Sequence, residues 1–257
     1  MNYALITGAS GGIGKAICTS LLENDFNIIM VARSFDKLTR VRDEFTKLYK
    51  KNDIRIVSCD VSAAVDVKNL FKNLDDDIKI SVLVNAAGIS GGGITAEIDD
   101  ALWTNVINTN LNGTFFVTRE CLRLDLIPVG GKIINIASTG GKQGVIYAAP
   151  YCASKHGMVG FSKALGLELA RNKSGITVNA ICPGFVETEM AERVRKHYAK
   201  IWDTTEDEAK KRVEERVPLG RYIEPSEVAG MLSYLISPAA NGITAQAFNI
   251  CGGLGNY

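Results

Sequence analysis

The stretch TGASGGIG, residues 7–14, says most about the architecture because it joins a short apolar run, YALIT at 3–7, to a helical pattern. Its glycines, Gly8, Gly12 and Gly14, permit a tight turn from strand to helix and a close approach of the backbone to a ligand. The free N–H groups at the start of the following helix favour an anion such as a pyrophosphate. The spacing is G-x-x-x-G-x-G rather than G-x-G-x-x-G, so a purely structural turn is the alternative.

Short apolar runs alternate with amphipathic segments along the rest of the chain. We predict further strands at 26–32, 54–59, 80–85, 132–138, 176–182 and 246–251, and helices at 36–51 and around 100–124. Continuous Val and Ile runs indicate strands buried on both faces, and their alternation with helices implies right-handed crossovers. The predicted fold class is α/β, a Rossmann-like doubly wound parallel sheet flanked by helices, in a single domain over 1–257.

Residues 184–224 interrupt this alternation. They carry two polar helical patterns, at 187–199 and 205–216, and no strand pattern. In a compact α/β fold, such a segment runs over the edge of the sheet, where loops cover ligand sites. We therefore predict a helical lid near 184–224.

The composition excludes several classes of function. Lys plus Arg number 29 and Asp plus Glu 28, so the net charge of +1 gives no field that would attract nucleic acid or a membrane. There is no apolar run of 18 residues and no signal-peptide pattern, and the six cysteines form no C-x-x-C pair, so we expect a cytoplasmic protein with reduced thiols. The two histidines, His156 and His197, lack metal-ligand spacing, so we expect no metal site and no hydrolase triad.

The end of the second predicted strand, VARS at 31–34, indicates which dinucleotide binds. A site for NAD usually carries an acidic residue here, whereas this chain has Arg33, whose guanidinium suits a 2′-phosphate. We therefore predict NADP(H), with Ser10 and Ser34 as further contacts. The alternative is that Arg33 is an ordinary solvated residue at the end of a strand.

The next two strand ends add to this site. Asp60 and Val61 follow the third strand and are predicted to bracket the adenine, through the carboxylate and the backbone respectively. The fourth strand ends in NAAG, where Asn85, Ala86 and Gly88 leave room for the ribose and the nicotinamide. Ligands of such sheets bind outside the carboxyl ends of the strands, which is where these residues lie.

The stretch PYCASKHG, residues 150–157, places Tyr151 and Lys155 one helical turn apart, on the same face of a helix. An ammonium at about 4 Å would stabilise a phenolate by roughly 4 kcal/mol at an effective dielectric of about 20. That energy corresponds to roughly three pKa units, so we predict a pKa near 7 for Tyr151, suited to acid–base catalysis. An exposed Tyr–Lys pair without function is the alternative.

Taken in order, TGASGGIG, NAAG, Asn110, Ser138, Tyr151-x-x-x-Lys155 and the Pro-Gly at 183–184 resemble the short-chain dehydrogenase/reductase family. The longer stretches 136–157, 182–190 and 244–257 are similar to ketoreductases of type II aromatic polyketide synthases, enzymes of antibiotic biosynthesis. The resemblance implies NADPH-dependent reduction of one carbonyl of a poly-β-ketone carried by an acyl carrier protein. It also implies a homotetramer assembled through the helix at 100–124 and the C-terminal segment.

The resemblance also implies roles for individual residues. Tyr151 donates the proton, Ser138 hydrogen-bonds the carbonyl oxygen, Lys155 contacts the nicotinamide ribose, and Asn110 holds a water for proton resupply. The structural alternative for Ser138 is an ordinary serine at the end of a strand. For Asn110 it is an interior amide whose hydrogen bonds are satisfied by its neighbours. Further cofactor contacts are implied for Ile13, Pro183, Gly184, Val186 and Thr188. The implied substrate cleft is formed by Ser138, Thr139, Gln143, Val145, Tyr147, Tyr151 and Tyr198.

The chain departs from those ketoreductases at three positions. Ser90 stands where they carry proline, Tyr147 where they carry histidine, and Ala86 where the usual motif has a second asparagine. The first change puts regiochemistry and stereochemistry in doubt but not hydride transfer. Two alternatives stay open, a 3-oxoacyl-[acyl-carrier-protein] reductase or another short-chain alcohol dehydrogenase, and an NADP-binding sensor without catalysis.

Overall fold

The computed structural model describes residues 2–255. Its centre is a seven-stranded parallel sheet. The strands are β1 Asn2–Thr7, β2 Asn27–Ala32, β3 Ile54–Ser58, β4 Lys79–Asn85, β5 Lys132–Ile136, β6 Thr177–Pro183 and β7 Ala247–Ile250. Their order across the sheet is β3-β2-β1-β4-β5-β6-β7. The predicted parallel sheet is confirmed.

Helices cover both faces of this sheet. They are α1 Gly12–Glu23, α2 Phe35–Leu48, α3 Ala64–Lys72, α4 Asp100–Ile107, α5 Gly113–Arg123, α6 Ala149–Arg171, α7 Glu189–Ile201, α8 Glu206–Arg216 and α9 Pro225–Ile236. Helices α1, α2 and α9 share one hydrophobic core with the sheet, and α3, α5 and α6 share the other. The doubly wound α/β class expected from the sequence is therefore confirmed.

Strand β1 shows why its sequence is apolar throughout. Ala4 and Ile6 are buried in the core beneath α1, while Leu5 is buried in the core beneath α5 and α6. A strand with both faces covered gains from every side chain, and each fully buried Leu or Ile contributes about 1.5–3 kcal/mol. If polar residues alternated with apolar ones along β1, the helices on one face of the sheet would lose their apolar contact with this strand.

The topology places a ligand site at the carboxyl end of β1. This strand pairs with β2 on one side and β4 on the other, so the chain changes direction across the sheet here. Thr7 ends β1, and its hydroxyl accepts hydrogen bonds from the N–H groups of Ala86 and Ala87, both at 3.1 Å. The loop after β4 is thereby fixed beside the glycine-rich turn.

The long helix predicted around 100–124 is divided. Helix α4 passes into a wider π turn at Asn108–Asn112, and α5 begins at Gly113. The sequence NTNLN contains no helix breaker, so one extra residue in a helical turn leaves no trace in propensity or periodicity. Asn110 lies in the middle of this turn.

The segment predicted as a lid carries α7 and α8, and both of its ends are held at the sheet edge. Val186 and Ile223 form a parallel bridge, supported by the hydrogen bonds from Glu187 N to Ile223 O and from Ile223 N to Phe185 O. The Glu187 carboxylate pairs with Arg195 at 2.6 Å and with Lys210 at 3.1 Å. The two helices are thus tied to each other and to the end of β6.

All six cysteines are free thiols, as expected, with Cys152 half-buried and the others buried. Within residues 2–255, no helix has both the length and the apolar character that a membrane crossing requires.

Candidate active site

A cavity of about 380 Å³ opens at the carboxyl ends of the central strands. Its walls come from the segments that follow β1, β4, β5 and β6, and from α7. Every side chain implied for the substrate cleft lines it: Ser138, Thr139, Gln143, Val145, Tyr147, Tyr151 and Tyr198. Tyr198 is fixed in place because its ring stacks on Trp202 at 4.6 Å between centroids.

Ser138 and Tyr151 meet on one wall of this cavity. Ser138 follows β5, and its hydroxyl oxygen accepts a hydrogen bond of 3.0 Å from Gly140 N. Tyr151 lies in the first turn of α6, behind Pro150, a residue that favours the start of a helix. Burial raises the pKa of Tyr151, and the neighbouring Ser138 hydroxyl opposes that rise.

Lys155 lies beneath Tyr151 and is only 4% exposed. Its ammonium donates a hydrogen bond of 2.8 Å to the carbonyl oxygen of Ile136 and lies 5.8 Å from the centre of the Tyr151 ring. Burial lowers the pKa of Lys155 to about 8. A charged ammonium is therefore disfavoured in this position.

The pKa near 7 predicted for Tyr151 is wrong in this structure. That value counted the attraction of an ammonium and left out desolvation, which disfavours the phenolate and the ammonium alike. With burial included, the pKa of Tyr151 is raised above its ordinary value. The phenol therefore stays protonated at neutral pH.

Asn110 joins the loop after β4 to helix α6. Its Oδ1 accepts a hydrogen bond of 2.8 Å from Ile89 N, and its Nδ2 donates to Ile89 O and to Ser154 Oγ, each at 3.0 Å. Ser154 Oγ in turn donates to Tyr151 O at 2.7 Å. The amide is therefore satisfied by protein groups, as in the structural alternative, and its water-holding role stays a prediction.

Gly88 lies between Asn110 and Lys155. A Cβ atom at this position would come within 3.3 Å of Asn110 Oδ1 and 3.6 Å of Lys155 Nζ. A side chain here would crowd both groups, so the glycine of NAAG allows the amide and the ammonium to lie close together.

The glycine-rich turn has the geometry of a phosphate cradle. Gly8 and Gly12 have φ angles of +70° and +53°, which favour glycine, and a Cβ on Gly14 would lie 2.2 Å from Gly8 O. Helix α1 begins at this point behind Gly11, which provides no side-chain cap. The first N–H groups of α1 therefore suit an anionic ligand.

The residues predicted around the adenosine follow the carboxyl ends of β1, β2 and β3. Arg33 is exposed and makes no side-chain hydrogen bond or ion pair within residues 2–255, and Ser10 is half-buried in the turn. Ser34 Oγ caps α2 by accepting a hydrogen bond from Lys37 N at 3.3 Å. The Asp60 carboxylate accepts hydrogen bonds from Ser62 N and Oγ at 3.0 and 2.7 Å.

Two of these predicted contacts are restricted to the backbone. The Asn85 side chain points into the core, where its Nδ2 donates to Thr118 Oγ1 at 3.0 Å and to Asn135 Oδ1 at 2.8 Å. The Val61 side chain is buried against Gly113, where a Cβ would come within 2.9 Å of it. A dinucleotide at the sheet edge would therefore meet main-chain atoms at these two positions.

The cofactor edge merges with the cavity. Further residues implied for cofactor binding line its wall, namely Ile13, Pro183, Gly184, Val186 and Thr188. Thr188 also caps α7 by accepting a hydrogen bond from Ala191 N at 3.3 Å, and its Cγ2 would lie 3.3 Å from a Cβ on Gly12. The start of α7 therefore lies against the glycine-rich turn.

Sequence reasoning missed several residues of the cavity. These lining residues are Ser90, Leu102, Phe185, Met190, Arg193, Val194, His197, Arg216 and Leu254. The helical period at 187–199 predicted α7, but periodicity does not say which sheet edge a helix covers. The sequence signal for these residues was the apolar face of that helix, because such a face packs against another apolar surface.

Comparison with known proteins agrees with this geometry. The family described as "short chain dehydrogenase" matches residues 2–199. A Streptomyces coelicolor protein that bears the name ketoacyl reductase is 51% identical over 257 residues, covering 99% of this chain and 97% of the relative. A granaticin polyketide synthase ketoacyl reductase, so named, from Streptomyces violaceoruber is also 51% identical over 257 residues, covering 99% and 93%.

A more distant relative and a solved structure complete the comparison. The 3-oxoacyl-[acyl-carrier-protein] reductase of a Synechocystis strain is 36% identical over 254 residues, covering 98% of this chain and 96% of the relative. A crystal structure of an actinorhodin polyketide ketoreductase variant with NADPH superposes with a TM-score of 0.93 at 50% identity, covering 100% of this chain and 98% of that one. This chain belongs to the short-chain dehydrogenase family.

Proposed function

We propose that the protein is an NADPH-dependent ketoreductase that reduces one carbonyl of a poly-β-ketone chain carried by an acyl carrier protein. The observation that carries the proposal is the Ser138–Tyr151 hydroxyl pair on the wall of a cavity with Lys155 buried behind it. The relatives named as polyketide synthase reductases support the polyketide substrate class.

The residues present fit NADPH. The uncapped start of α1 would hold the pyrophosphate, and the exposed Arg33 would hold the 2′-phosphate that distinguishes NADPH from NADH. When bound, NADPH supplies the hydride that reduces the ketone. The actinorhodin ketoreductase, 50% identical, was crystallised with NADPH, in agreement with the choice of cofactor.

Tyr151 and Ser138 act on the ketone oxygen. As negative charge develops on that oxygen, Tyr151 gives it a proton and Ser138 donates a hydrogen bond. The raised pKa of Tyr151 suits this direction of reaction, because the phenol enters each cycle protonated. Donors fixed in a buried site stabilise such charge more than water does, since they need not reorganise during the reaction.

Lys155 and Asn110 hold this constellation. The bond from Lys155 Nζ to Ile136 O ties α6 to β5, the strand that precedes Ser138. Asn110, through Ser154, fixes the main chain of Tyr151 relative to the loop after β4. We infer that Lys155 contacts the nicotinamide ribose and that Asn110 takes part in proton resupply.

The cavity supports a bulky ketone as substrate. Its volume of about 380 Å³ lies within the usual range for small-molecule sites. The side chains around Tyr151 are largely apolar, and they include Leu102, Val145, Phe185, Met190, Val194 and Leu254. Such walls accept a folded polyketide chain by burial of apolar surface, while the hydroxyl pair selects the carbonyl.

We further propose a homotetramer. Phe115 on α5 is 40% exposed, and its ring lies 5.8 Å from Phe116 and 6.1 Å from Phe161 of α6, which gives α5 and α6 a shared aromatic surface. Such a surface suits a second copy of the chain. Two residues of the C-terminal segment expected to take part, Asn256 and Tyr257, lie outside the described residues. Light scattering of the purified protein tests the assembly.

Reconstitution with a minimal polyketide synthase tests the function. We expect NADPH-dependent formation of a product with one ketone reduced to an alcohol, and no such product from Tyr151→Phe. In a parallel assay, the purified protein should turn over trans-1-decalone faster than acetoacetyl-carrier protein. The opposite preference would favour a 3-oxoacyl-[acyl-carrier-protein] reductase, and no turnover of any ketone would favour a nucleotide sensor.

A further inference from the structure

Helix α7 carries a row of basic side chains on its outward face. They follow the spacing i, i+3, i+4, i+7, which places them on one face, and all four are exposed: Arg193, Lys196, His197 and Lys200. We call these four residues the α7 basic face. The opposite side of the helix is buried through Ala191 and Tyr198.

The fold makes little use of these outward charges. Lys196 and Lys200 form no ion pair or side-chain hydrogen bond within residues 2–255. Arg193 reaches Glu189 only at 4.0 Å. Arg195, the cation of α7 that lies outside this face, pairs with Glu187 at 2.6 Å. The charges of the α7 basic face are therefore available to a partner.

The α7 basic face borders the entrance to the cavity. Arg193 and His197 belong both to the face and to the cavity wall, and Arg216 of α8 lies on that wall as well. Among the described residues that line the cavity, none is Asp or Glu. The cavity wall therefore presents cations and no carboxylate, while the exposed acids of α7, Glu189 and Glu192, lie one helical turn before Arg193 and Lys196.

A second segment at the cavity is apolar. The loop 144–148 lines the cavity there, with Ile146 59% exposed and Tyr147 36% exposed. Exposed apolar side chains beside a group of cations are typical of a contact surface, because burial supplies affinity while charge supplies orientation. The α7 basic face and Ile146 thus border the same cavity.

We propose that the α7 basic face is the docking surface for an acyl carrier protein, which delivers its tethered chain between α7 and the loop 144–148. The proposal rests on the proposed function and adds where the partner binds. Carrier proteins are acidic, so their surface is complementary in charge to this face. From residue 193 to residue 200 the face is about 10 Å long, which matches two turns of a partner helix.

Charge of this kind acts mainly on the rate of encounter. Opposite surface charges steer association and lower the apparent KM, whereas they leave the chemical step alone. Turnover of a carrier-bound ketone should therefore depend on the lysines of α7 and on salt. Turnover of the same ketone without the carrier should depend on neither.

The test compares one acyl chain in two forms. The substrates are a 3-oxooctanoyl chain on a carrier protein and the same chain as its N-acetylcysteamine thioester. The variant is Lys196→Glu/Lys200→Glu, whose two residues do not line the cavity. The matched control is Lys68→Glu/Lys72→Glu on α3, an exposed pair with the same spacing and the same change in charge.

We expect the α7 variant to lose kcat/KM for the carrier-bound chain by roughly tenfold or more, and to stay within about twofold of wild type for the free thioester. The α3 control should match wild type with both substrates. Raising the salt concentration should slow the wild type with the carrier-bound chain more than it slows the α7 variant. Thermal unfolding of all three proteins checks that the substitutions leave the fold intact.

Other outcomes overturn the docking site. The proposal is wrong if the α7 variant and the wild type have equal kcat/KM for the carrier-bound chain. It is also wrong if the α7 variant loses kcat/KM equally with both substrates, because that would indicate a damaged lid. An equal loss in the α3 control would show that only the net charge matters. If the wild type reduced neither of these substrates and did not reduce trans-1-decalone, the proposed function would fail, independently of the variant.

Discussion

Lys155→Met provides a test of how burial governs the charges in this site. The ammonium is 4% exposed, and burial lowers its pKa from 10.5 to about 8. Methionine has a similar length and carries no charge. We therefore expect the variant to lose ketone reduction and yet to resist unfolding at pH 6.5 better than the wild type.

Lys155→Met changes two contributions to the free energy of unfolding. A pKa lowered from 10.5 to about 8 corresponds to a cost of roughly 3 kcal/mol for the charged form in the folded protein. Removing the lysine also removes the hydrogen bond from its ammonium to Ile136 O, a loss of about 1.5–3 kcal/mol for a bond to a charged group. The net expectation is a gain of up to about 1.5 kcal/mol in the free energy of unfolding below pH 8.

The effect of Lys155 on the free energy of unfolding depends on pH. Between about 8 and 10.5 the unfolded chain binds the Lys155 proton while the folded chain has released it, so wild-type stability from this group rises with pH in that window. Below it, both states are protonated and the full penalty applies. The advantage of Lys155→Met should therefore be largest at pH 6.5 and should shrink as the pH rises through 8 toward 10.

Urea unfolding without nucleotide, at pH 6.5, 8 and 9.5, measures these differences. Lys163→Met, at an exposed position of the same helix, is the matched control and should show no such pH-dependent gain. A variant less stable than wild type at pH 6.5, or a stability difference that does not change with pH, would refute the reasoning about burial.

Two further substitutions test the cofactor edge and the cavity. Arg33→Ala should raise the KM for NADPH by roughly 10- to 100-fold, because a charge-assisted contact contributes about 1.5–3 kcal/mol. The KM for NADH should not change. Steady-state kinetics with both nucleotides measures these values, and equal effects on both would contradict the assignment of Arg33 to the 2′-phosphate. Gly92→Ala would place a Cβ 1.9 Å from Tyr147 O. We therefore expect the variant's free energy of unfolding, measured in urea, to fall by about 1–3 kcal/mol and its KM for trans-1-decalone to rise. Wild-type values in both assays would count against this packing.

The architecture was predictable because its signals are local. The predicted strands agree with the observed ones to within two residues, since each is a continuous apolar run ended by a turn. The glycine-rich turn and the Tyr151-x-x-x-Lys155 pair were also legible, because their spacing fixes their geometry on a strand end or a helix face.

What the sequence left out depends on tertiary contacts. The π turn at 108–112 uses residues that an ordinary helix accepts, so no pattern marks it. The inward direction of Asn85 depends on Thr118 and Asn135, which lie far away in the chain. The pKa of Tyr151 was misjudged because its burial is a property of the folded site and cannot be read from the distance to one lysine.

The central claim is that Tyr151 is the proton donor on the wall of the cavity. Single-turnover oxidation of NADPH by trans-1-decalone, measured for wild type and Tyr151→Phe together with the Kd for NADPH, tests it most directly. We expect the rate to fall by about 10²–10⁴-fold while the Kd stays within about twofold. A Tyr151→Phe protein that keeps most of the wild-type rate would contradict the account.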